Sequence, residues 1–316
     1  RSSSAHHELQ KLCTSNIKHE IGKCTYTHML NKDGGIETDL TVVCINENHF
    51  RIISSAATRE RDKFHIKKHL SDEIEVNDVT DDYCVFGIFG PKSRLLMQKL
   101  SKDDFSNENF KFATSKYIKI GKIKIWTQRL SYVGELGYEL YVELSNAKDI
   151  YKRIIEEGKI FNISNCGMHA LDTMRMESGF LHWGHDISPQ ENQYQAGLDF
   201  TISFKKQIDF IGKVALEKFK NKKPTTRFAM FSLIENKPGK PLLLHDEPIY
   251  LDNEIIGRTT SGNYSFNFKK NLSFGYIKNI PLNELYNKDI YIEVEKTKYH
   301  AEILKEPLKV SNFKNI

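Results

Sequence analysis

The 316-residue sequence contains no long uncharged apolar run and only five cysteines. No stretch of about 18 or more apolar residues occurs, so we predict no membrane-spanning helix. The cysteines are odd in number and widely spaced, with no Cys-x-x-Cys pair, which argues against a disulfide framework and fits a reducing compartment. We therefore expect a cytoplasmic protein, or one of the mitochondrial matrix if the source is eukaryotic.

Several catalytic signatures are also missing. The chain has no Gly-x-x-x-x-Gly-Lys-Ser/Thr phosphate loop, no Gly-x-Gly-x-x-Gly dinucleotide fingerprint and no Gly-x-Ser-x-Gly nucleophile turn. His182 and His185 lack a third ligand nearby in sequence, so we predict no metal site. The net charge of +5 comes from 46 basic and 41 acidic residues that are interleaved, which predicts a solvated surface rather than a nucleic-acid site.

The pattern of strands and helices divides the chain in two. Asn31 to Gly35 predict a hairpin turn between strands at 22–30 and 36–45. Helices are expected at about 146–157, 165–179 and 213–219. A Lys/Asn-rich linker at 220–224 precedes a strand-rich tail, which we interpret as a small β-barrel or sandwich.

Tyr26 and Asp39 stand on the two strands of the predicted hairpin. A turn centred between Lys32 and Asp33 places them directly opposite each other, whereas an Asp33-Gly34 turn makes them diagonal neighbours. In both registers they share one sheet face, because side chains alternate with a period of two. A carboxylate beside a phenol predicts either a ligand site or a polar stripe that faces solvent.

The segment Tyr132 to Glu139 contains two tyrosines, two glutamates and two glycines around a sharp turn. A carboxylate can accept parallel hydrogen bonds from a ring amide and its exocyclic amine, as a pterin or guanine offers. Further along, we expect a helix with Leu171, Met174 and Phe180 towards the core. Arg175 and Glu177 of this helix are of a type that more often lies at the surface or in an ion pair than in a site.

Together these residues resemble the glycine cleavage T-protein (aminomethyltransferase) family. The resemblance is closest to the C-terminal folate-binding region of dimethylglycine and sarcosine dehydrogenases. It covers nearly the whole chain and is carried by the following segments: Tyr26, 34–40, 132–139, the Arg175 helix, 177–186, 196–198, 210–213 and 257–262.

The resemblance implies a multi-lobed α+β folate-binding fold with a small C-terminal β-barrel. It predicts an N-terminally truncated folate-binding domain at 1–218 and a barrel domain at 225–312. Tetrahydrofolate is the implied cofactor, with Asp39 as catalytic carboxylate, Glu139 on the pterin ring, and Tyr26, Tyr132 and Arg175 lining the site. FAD is expected only in a missing upstream flavin domain.

The implied activity is tetrahydrofolate-dependent transfer of a one-carbon group from a small-molecule donor, as part of a flavin-dependent N-demethylase. A free-standing T-protein-like aminomethyltransferase and a non-catalytic regulatory subunit of the same fold are the alternatives. Partners other than folate, the one-carbon donor and the flavin domain are not implied; neither nucleic acid nor membrane is expected.

Overall fold

A computed structural model of the chain describes residues 1–222, 224–235, 237–278, 280–309 and 314. Residue 223 of the predicted linker and residues 310–312 of the predicted second domain lie outside the described residues. No helix of the described part is long and apolar enough to cross a membrane.

The first sheet is built on the predicted hairpin. The Asn31 side chain closes the turn by accepting hydrogen bonds from the backbone N–H groups of Asp33 and Gly35, each at 2.9 Å. Gly34 adopts a positive φ of 88° there, which glycine permits at little cost. The resulting antiparallel sheet has three strands in the order β1 (Cys24–Leu30), β2 (Ile36–Asn46) and β3 (His49–Ser54). Helix α1 (Ala5–Leu12) precedes the sheet in the chain, and helix α2 (Arg59–His69) follows it.

A second antiparallel sheet has the strand order β4-β7-β6-β5. Its apolar side packs against two helices around Leu96, Ile118 and Leu140, which are almost completely buried. The elements of this lobe are β4 (Tyr83–Phe89), α3 (Ser93–Leu100), β5 (Thr114–Ile120), β6 (Ile123–Arg129), β7 (Gly137–Glu143) and α4 (Leu144–Gly158).

The two sheets meet at the beginning of β1. The Cys24 N–H donates to the Ala113 carbonyl at 2.9 Å, and the Ser115 N–H donates to the Gly22 carbonyl at 2.6 Å. A buried cluster that includes Cys24, Trp126 and Tyr141 fills the joint. One face of β1 is therefore held between the two sheets.

The segment that follows contains α5 (Met168–Glu177), α6 (Gln193–Ala196) and α7 (Lys213–Asn221). The expected core face of α5 is wrong in part, because Leu171 and Met174 are only half-buried. The completely buried positions include two charged residues, Arg175 and Glu177. This helix packs on the C-terminal barrel through hydrogen-bonded polar groups, which a pattern of apolar residues does not reveal.

The C-terminal strands form a closed six-stranded barrel in the order β10-β11-β8-β13-β12-β9. A sandwich is thus excluded for this part of the chain. Ile249, Ile277 and Ile292 are among the residues that fill its interior. The elements are β8 (Thr226–Leu233), β9 (Pro248–Leu251), β10 (Glu254–Ser265), β11 (Lys270–Lys278), α8 (Leu282–Leu285), β12 (Ile290–Val294) and β13 (Thr297–Ile303).

Candidate functional site

The register of the first hairpin decides the relation between Tyr26 and Asp39. Tyr26 lies opposite Thr41, and His28 lies opposite Asp39. Tyr26 and Asp39 are therefore diagonal neighbours on one face of the sheet, the second of the two registers that the turn sequence allowed. His28 joins them on that face, because it stands two residues after Tyr26 on the same strand.

Asp39 is a carboxyl group with little access to water, since its side chain is 18% exposed. Burial raises its pKa to about 7, the neighbouring Tyr26 hydroxyl opposes this change, and the charge of Asp62 adds to it. A carboxyl group with this pKa gains and loses a proton close to neutral pH. It can therefore serve as a general acid or base.

Tyr26 combines accessibility with a strongly desolvated hydroxyl. The residue is 41% exposed, yet burial and the neighbouring Asp39 raise the pKa of its phenol well above the usual value. A ring that is reached by water while its hydroxyl is desolvated lies in a recess of the surface. The charge of the Tyr132 side chain also affects Tyr26, which places these two rings near the same recess.

Glu139 lies on β7 in the second sheet. Its Oε2 atom accepts hydrogen bonds from the Gln128 amide and from the Tyr141 hydroxyl, the latter at 3.1 Å. Gln128 stands directly opposite Glu139 on β6 and is buried, so it fixes the orientation of the carboxylate. Within the described part of the chain, Oε1 of Glu139 makes no hydrogen bond and remains able to accept one from a ligand.

The two carboxylates are connected through β1. The Cys24 thiol contacts Oε1 of Gln128 at 3.9 Å, and the pKa of Cys24 responds to the charge of Glu139. Cys24, Tyr26 and His28 follow one another on one face of the strand, from the Glu139 end to the Asp39 end. Four residues of a strand span about 13 Å. Asp39, Tyr26 and Tyr132 thus influence one another, and Glu139 is linked to the same strand through Gln128 and Cys24.

Tyr132 lies in the loop between β6 and β7. Its hydroxyl donates to the Leu181 carbonyl at 2.8 Å, and its ring stacks on Phe180 with centroids 6.2 Å apart. Burial raises the pKa of this phenol, whereas the nearby Arg175 lowers it. Tyr132 therefore joins the site to the loop that follows α5.

Arg175 is deeper than the other candidate residues, with 1% of its surface exposed. Its guanidinium donates to Asp172 at 2.8 Å, to Asp186 at 2.5 Å and to the Ser261 hydroxyl at 2.8 Å. It also donates to the Phe180 carbonyl at 3.1 Å. These contacts tie α5, the loop after it and strand β10 together, and the Arg175 charge also reaches Tyr132.

Two family models match the chain, the GCVT N-terminal domain over residues 3–206 and the glycine cleavage T-protein C-terminal barrel domain over residues 227–309. The chain belongs to the glycine cleavage T-protein family. The second match coincides with the closed barrel, and the first contains both sheets and the candidate site.

Relatives of more than one kind are similar to the chain. The chain is 33% identical to the dimethylglycine dehydrogenase of Rattus norvegicus over 95% of its own length, but it spans only 35% of that protein. It is 33% identical to an aminomethyltransferase of Thermoanaerobacter pseudethanolicus, covering 85% of the chain and 72% of the relative. The dimethylglycine dehydrogenases and the aminomethyltransferases are therefore both similar to the chain at the same level of identity.

The fold of the T-protein family is also found by structural comparison. The glycine cleavage system aminomethyltransferase T of Bartonella henselae superimposes with a TM-score of 0.84, at 19% identity, over 97% of this chain and 81% of that protein. At this low identity the likeness establishes the fold alone. It confirms the predicted multi-lobed α+β architecture with a C-terminal barrel.

Sequence reasoning missed two residues of the candidate site, His28 and Gln128. The alternation of side chains along a strand predicts that His28 shares a sheet face with Tyr26, so His28 could have been found from the sequence. The register of the β6–β7 hairpin would have shown Gln128 opposite Glu139. Among the described residues, no group of three or more His, Cys, Asp or Glu side chains is arranged to hold a metal ion.

Proposed function

We propose that this chain binds tetrahydrofolate between Glu139 and Asp39 and takes part in transfer of a one-carbon group to it. The proposal depends on two carboxyl groups near the same face of β1. The Glu139 carboxylate is held by hydrogen bonds, and the Asp39 carboxyl is buried with a raised pKa. Membership of the T-protein family supports it, since aminomethyltransferases belong to that family.

Glu139 fits the amide edge of a pterin. One carboxylate oxygen is held by Gln128 and Tyr141, while the other is available to a ligand. A pterin presents a ring N–H and an exocyclic amine side by side, which matches the acceptors of a carboxylate. Because the carboxylate is oriented before the ligand arrives, little entropy is lost on binding.

Asp39 fits the end of the ligand at which the chemistry takes place. Reduced folate, when bound, supplies the amine nitrogens that accept the one-carbon group. Asp39 exchanges a proton near neutral pH because burial holds its pKa at about 7, so it can take up the proton that an attacking amine releases. When ionised, it also stabilises a neighbouring cationic centre.

The distance between the two groups suits this arrangement. Cys24 contacts Gln128, which holds Glu139, and His28 stands opposite Asp39; the Cα atoms of Cys24 and His28 are separated by about 13 Å. A pteridine ring with its bridging carbon and N10, plus a hydrogen bond at each end, has a comparable length. Tyr26 lies between the two ends, where its ring can contact the ligand.

Calorimetric titration with 5-formyltetrahydrofolate tests the role of Glu139. We expect Glu139→Ala to weaken binding by more than about 1 kcal/mol, the scale of a lost hydrogen bond to a charged group. Glu143→Ala is the matched control on the same strand, since Glu143 is exposed, and it should bind as the unaltered chain does. Equal affinities of the Glu139 and Glu143 variants would refute this assignment.

We further propose that the chain acts as the folate-binding part of a dimethylglycine or sarcosine dehydrogenase-like N-demethylase, with FAD held by a flavin domain upstream. The Trp183 and 257–262 segments favour this over a free-standing aminomethyltransferase. Reading the coding sequence upstream tests the idea: a flavin domain in the same frame supports it, and a separate short gene supports the aminomethyltransferase. A non-catalytic regulatory subunit would not need a complete site. The presence of all four proposed site residues therefore argues against it: Tyr26, Asp39, Tyr132 and Glu139.

A further inference from the structure

We propose that His28 is a positioning residue for Asp39, a permanently neutral imidazole whose bare Nε2 atom receives the Tyr26 hydroxyl whenever Asp39 carries a proton. The inference rests on the proposed function, because it gives Asp39 its role in proton transfer. Beyond the proposed function, the inference assigns His28 a part in the proton transfer of Asp39 and describes the hydrogen bonds that rearrange when Asp39 is protonated.

The hydrogen bonds behind His28 fix its tautomer. The Thr201 hydroxyl donates its single proton to the Leu198 carbonyl at 2.7 Å. If that proton pointed elsewhere, two acceptor oxygens would face each other at this distance. The Thr201 oxygen, 3.1 Å from Nδ1 of His28, can therefore only accept, so Nδ1 carries the ring proton.

The other ring nitrogen consequently has a free lone pair that points to the site. Nε2 lies 3.3 Å from the Tyr26 hydroxyl and 3.9 Å from Oδ1 of Asp39. His28 is completely buried, and burial lowers its pKa to about 3, so the ring stays neutral in the range in which Asp39 titrates. An uncharged acceptor thus faces the carboxyl group from across the strand pair.

The Tyr26 hydroxyl has one proton and two acceptors near it, Nε2 of His28 at 3.3 Å and the Asp39 carboxyl group, whose pKa it lowers. While Asp39 is ionised, the hydroxyl donates to the carboxylate. When Asp39 takes up a proton, the carboxyl O–H donates to the Tyr26 oxygen, and the Tyr26 proton turns to Nε2. Every donor keeps an acceptor in both states, so His28 stabilises the protonated carboxyl relative to a site without this acceptor.

Other ionisable groups around Asp39 do not supply this acceptor. Asp62 on α2 and Tyr132 in the β6–β7 loop influence Asp39 or are influenced by it through their charge. Arg175, beyond Tyr132, is held by Asp172 and Asp186. Of the contacts around Asp39, the hydrogen bond between Tyr26 and His28 is the one that changes when Asp39 gains or loses a proton.

The first test is ¹⁵N NMR of the ring nitrogens of His28 in the full chain without folate. We expect a protonated Nδ1 and an unprotonated Nε2 from pH 5 to 9. Thr201→Ser keeps the accepting hydroxyl and should preserve this pattern, whereas Thr201→Val removes it and should give a mixture of tautomers. An Nε2-protonated or cationic ring in the unaltered chain would overturn the proposal.

The second test follows the Asp39 carboxyl carbon by ¹³C NMR as the pH is changed. Because Tyr26 can then donate only to Asp39, His28→Phe should lower the titration midpoint by about half to one pH unit, the equivalent of one hydrogen bond. In a Tyr26→Phe background the same substitution should move the midpoint by less than about 0.3 units.

An unchanged or raised midpoint in His28→Phe would overturn the proposal, and so would an equal shift in both backgrounds. Thermal unfolding of each variant identifies any that does not fold, and the Thr201 pair then carries the test. Neither NMR experiment uses folate. Failure of folate binding would therefore refute the proposed function while leaving the role of His28 open to its own result.

Discussion

Asp39 is a buried carboxyl group whose environment destabilises the folded chain. Burial raises its pKa from the usual carboxyl range to about 7. The folded chain therefore binds more protons than the unfolded chain between about pH 4 and 7. Over this interval the free energy of unfolding falls as the pH rises, and above it the loss remains constant.

Asp39→Asn should remove this penalty. We expect the variant to be more stable than the unaltered chain by about 4 kcal/mol at pH 8, and nearly equally stable at pH 3, where the Asp39 carboxyl is largely neutral in the unfolded chain as well as in the folded chain. Urea unfolding at the two pH values measures the difference. A variant that is less stable at pH 8 would show that Asp39 is not a strained, desolvated acid.

The same variant should separate binding from chemistry. Asparagine preserves the shape of the side chain but cannot take up the proton of an attacking amine. We expect calorimetry with 5-formyltetrahydrofolate to give an affinity close to that of the unaltered chain, with formation of 5,10-methylenetetrahydrofolate reduced to the uncatalysed rate. Retained turnover would remove Asp39 from the mechanism.

Individual residues were predictable from the sequence when a strand placed them on a shared face. Tyr26 and Asp39 could be paired because both registers of the hairpin keep them together. His28 was not found, since a lone histidine in an apolar strand is most simply a core residue. Its importance depends on Thr201, which is 173 positions away and reaches it only through the tertiary structure.

At the scale of secondary-structure elements, the first hairpin is fixed in place by packing at its tip as well as by the hydrogen bonds between its strands. The tip lies beneath the loop around Pro189, so that a Cβ atom on Gly35 would stand 1.8 Å from the Pro189 carbonyl oxygen. Trp183 donates from its indole to the Ile36 carbonyl at 3.0 Å beside this point. The position of β1 and β2, and with it the site, depends on this close packing.

Gly35→Ala should therefore destabilise the chain by about 2 kcal/mol or more, because the backbone must shift to accommodate one methyl group. Gly167→Ala is the control, since a Cβ there meets nothing within 4 Å, and it should cost less than about 1 kcal/mol. Thermal unfolding compares the two variants. Equal effects of the two substitutions would contradict the packing described for the hairpin tip.

Strands and helices were predictable where their turn residues were clear, as in the hairpin around residues 31–35. The buried face of α5 was not, because its charged positions are satisfied by groups from distant parts of the chain. Glu177, for example, accepts from the Ser265 hydroxyl at 2.6 Å and from the Asn267 amide at 2.9 Å. No periodicity of α5 itself contains that information.

At the scale of the whole molecule, the N-terminal region and the barrel are joined by a buried polar junction. Asp186 is 1% exposed and accepts from Arg175, Thr260 and Ser261. These contacts bind the loop behind Tyr132 to strand β10. Through this junction Arg175 reaches Tyr132, whose pKa it lowers.

Arg175→Met should leave Asp186 buried without its cationic partner and destabilise the chain by about 3–5 kcal/mol. Arg258→Ala breaks another Arg–Asp pair, with Asp246, but on the surface, where both side chains are more than half exposed. We expect that control to cost less than about 1 kcal/mol. Urea unfolding that gives similar losses for both variants would contradict the structural role of Arg175.

The closure of the C-terminal strands into a barrel could not be predicted from the pattern of residues alone. Turn residues and alternating strands indicated a β-rich tail, but both a barrel and a sandwich satisfy that pattern. Closure depends on which strands meet, and β8 lies between β11 and β13 across long stretches of sequence. Such pairing is fixed by the packing of the interior rather than by any local signal.

The measurement that tests the central claim most directly is a crystal structure of the chain with 5-formyltetrahydrofolate. We expect the pterin ring to donate hydrogen bonds to the Glu139 carboxylate, with Tyr26 against the ligand and N10 next to Asp39. A ligand bound elsewhere, or turned so that its pterin ring contacts neither Glu139 nor Gln128, would contradict the account.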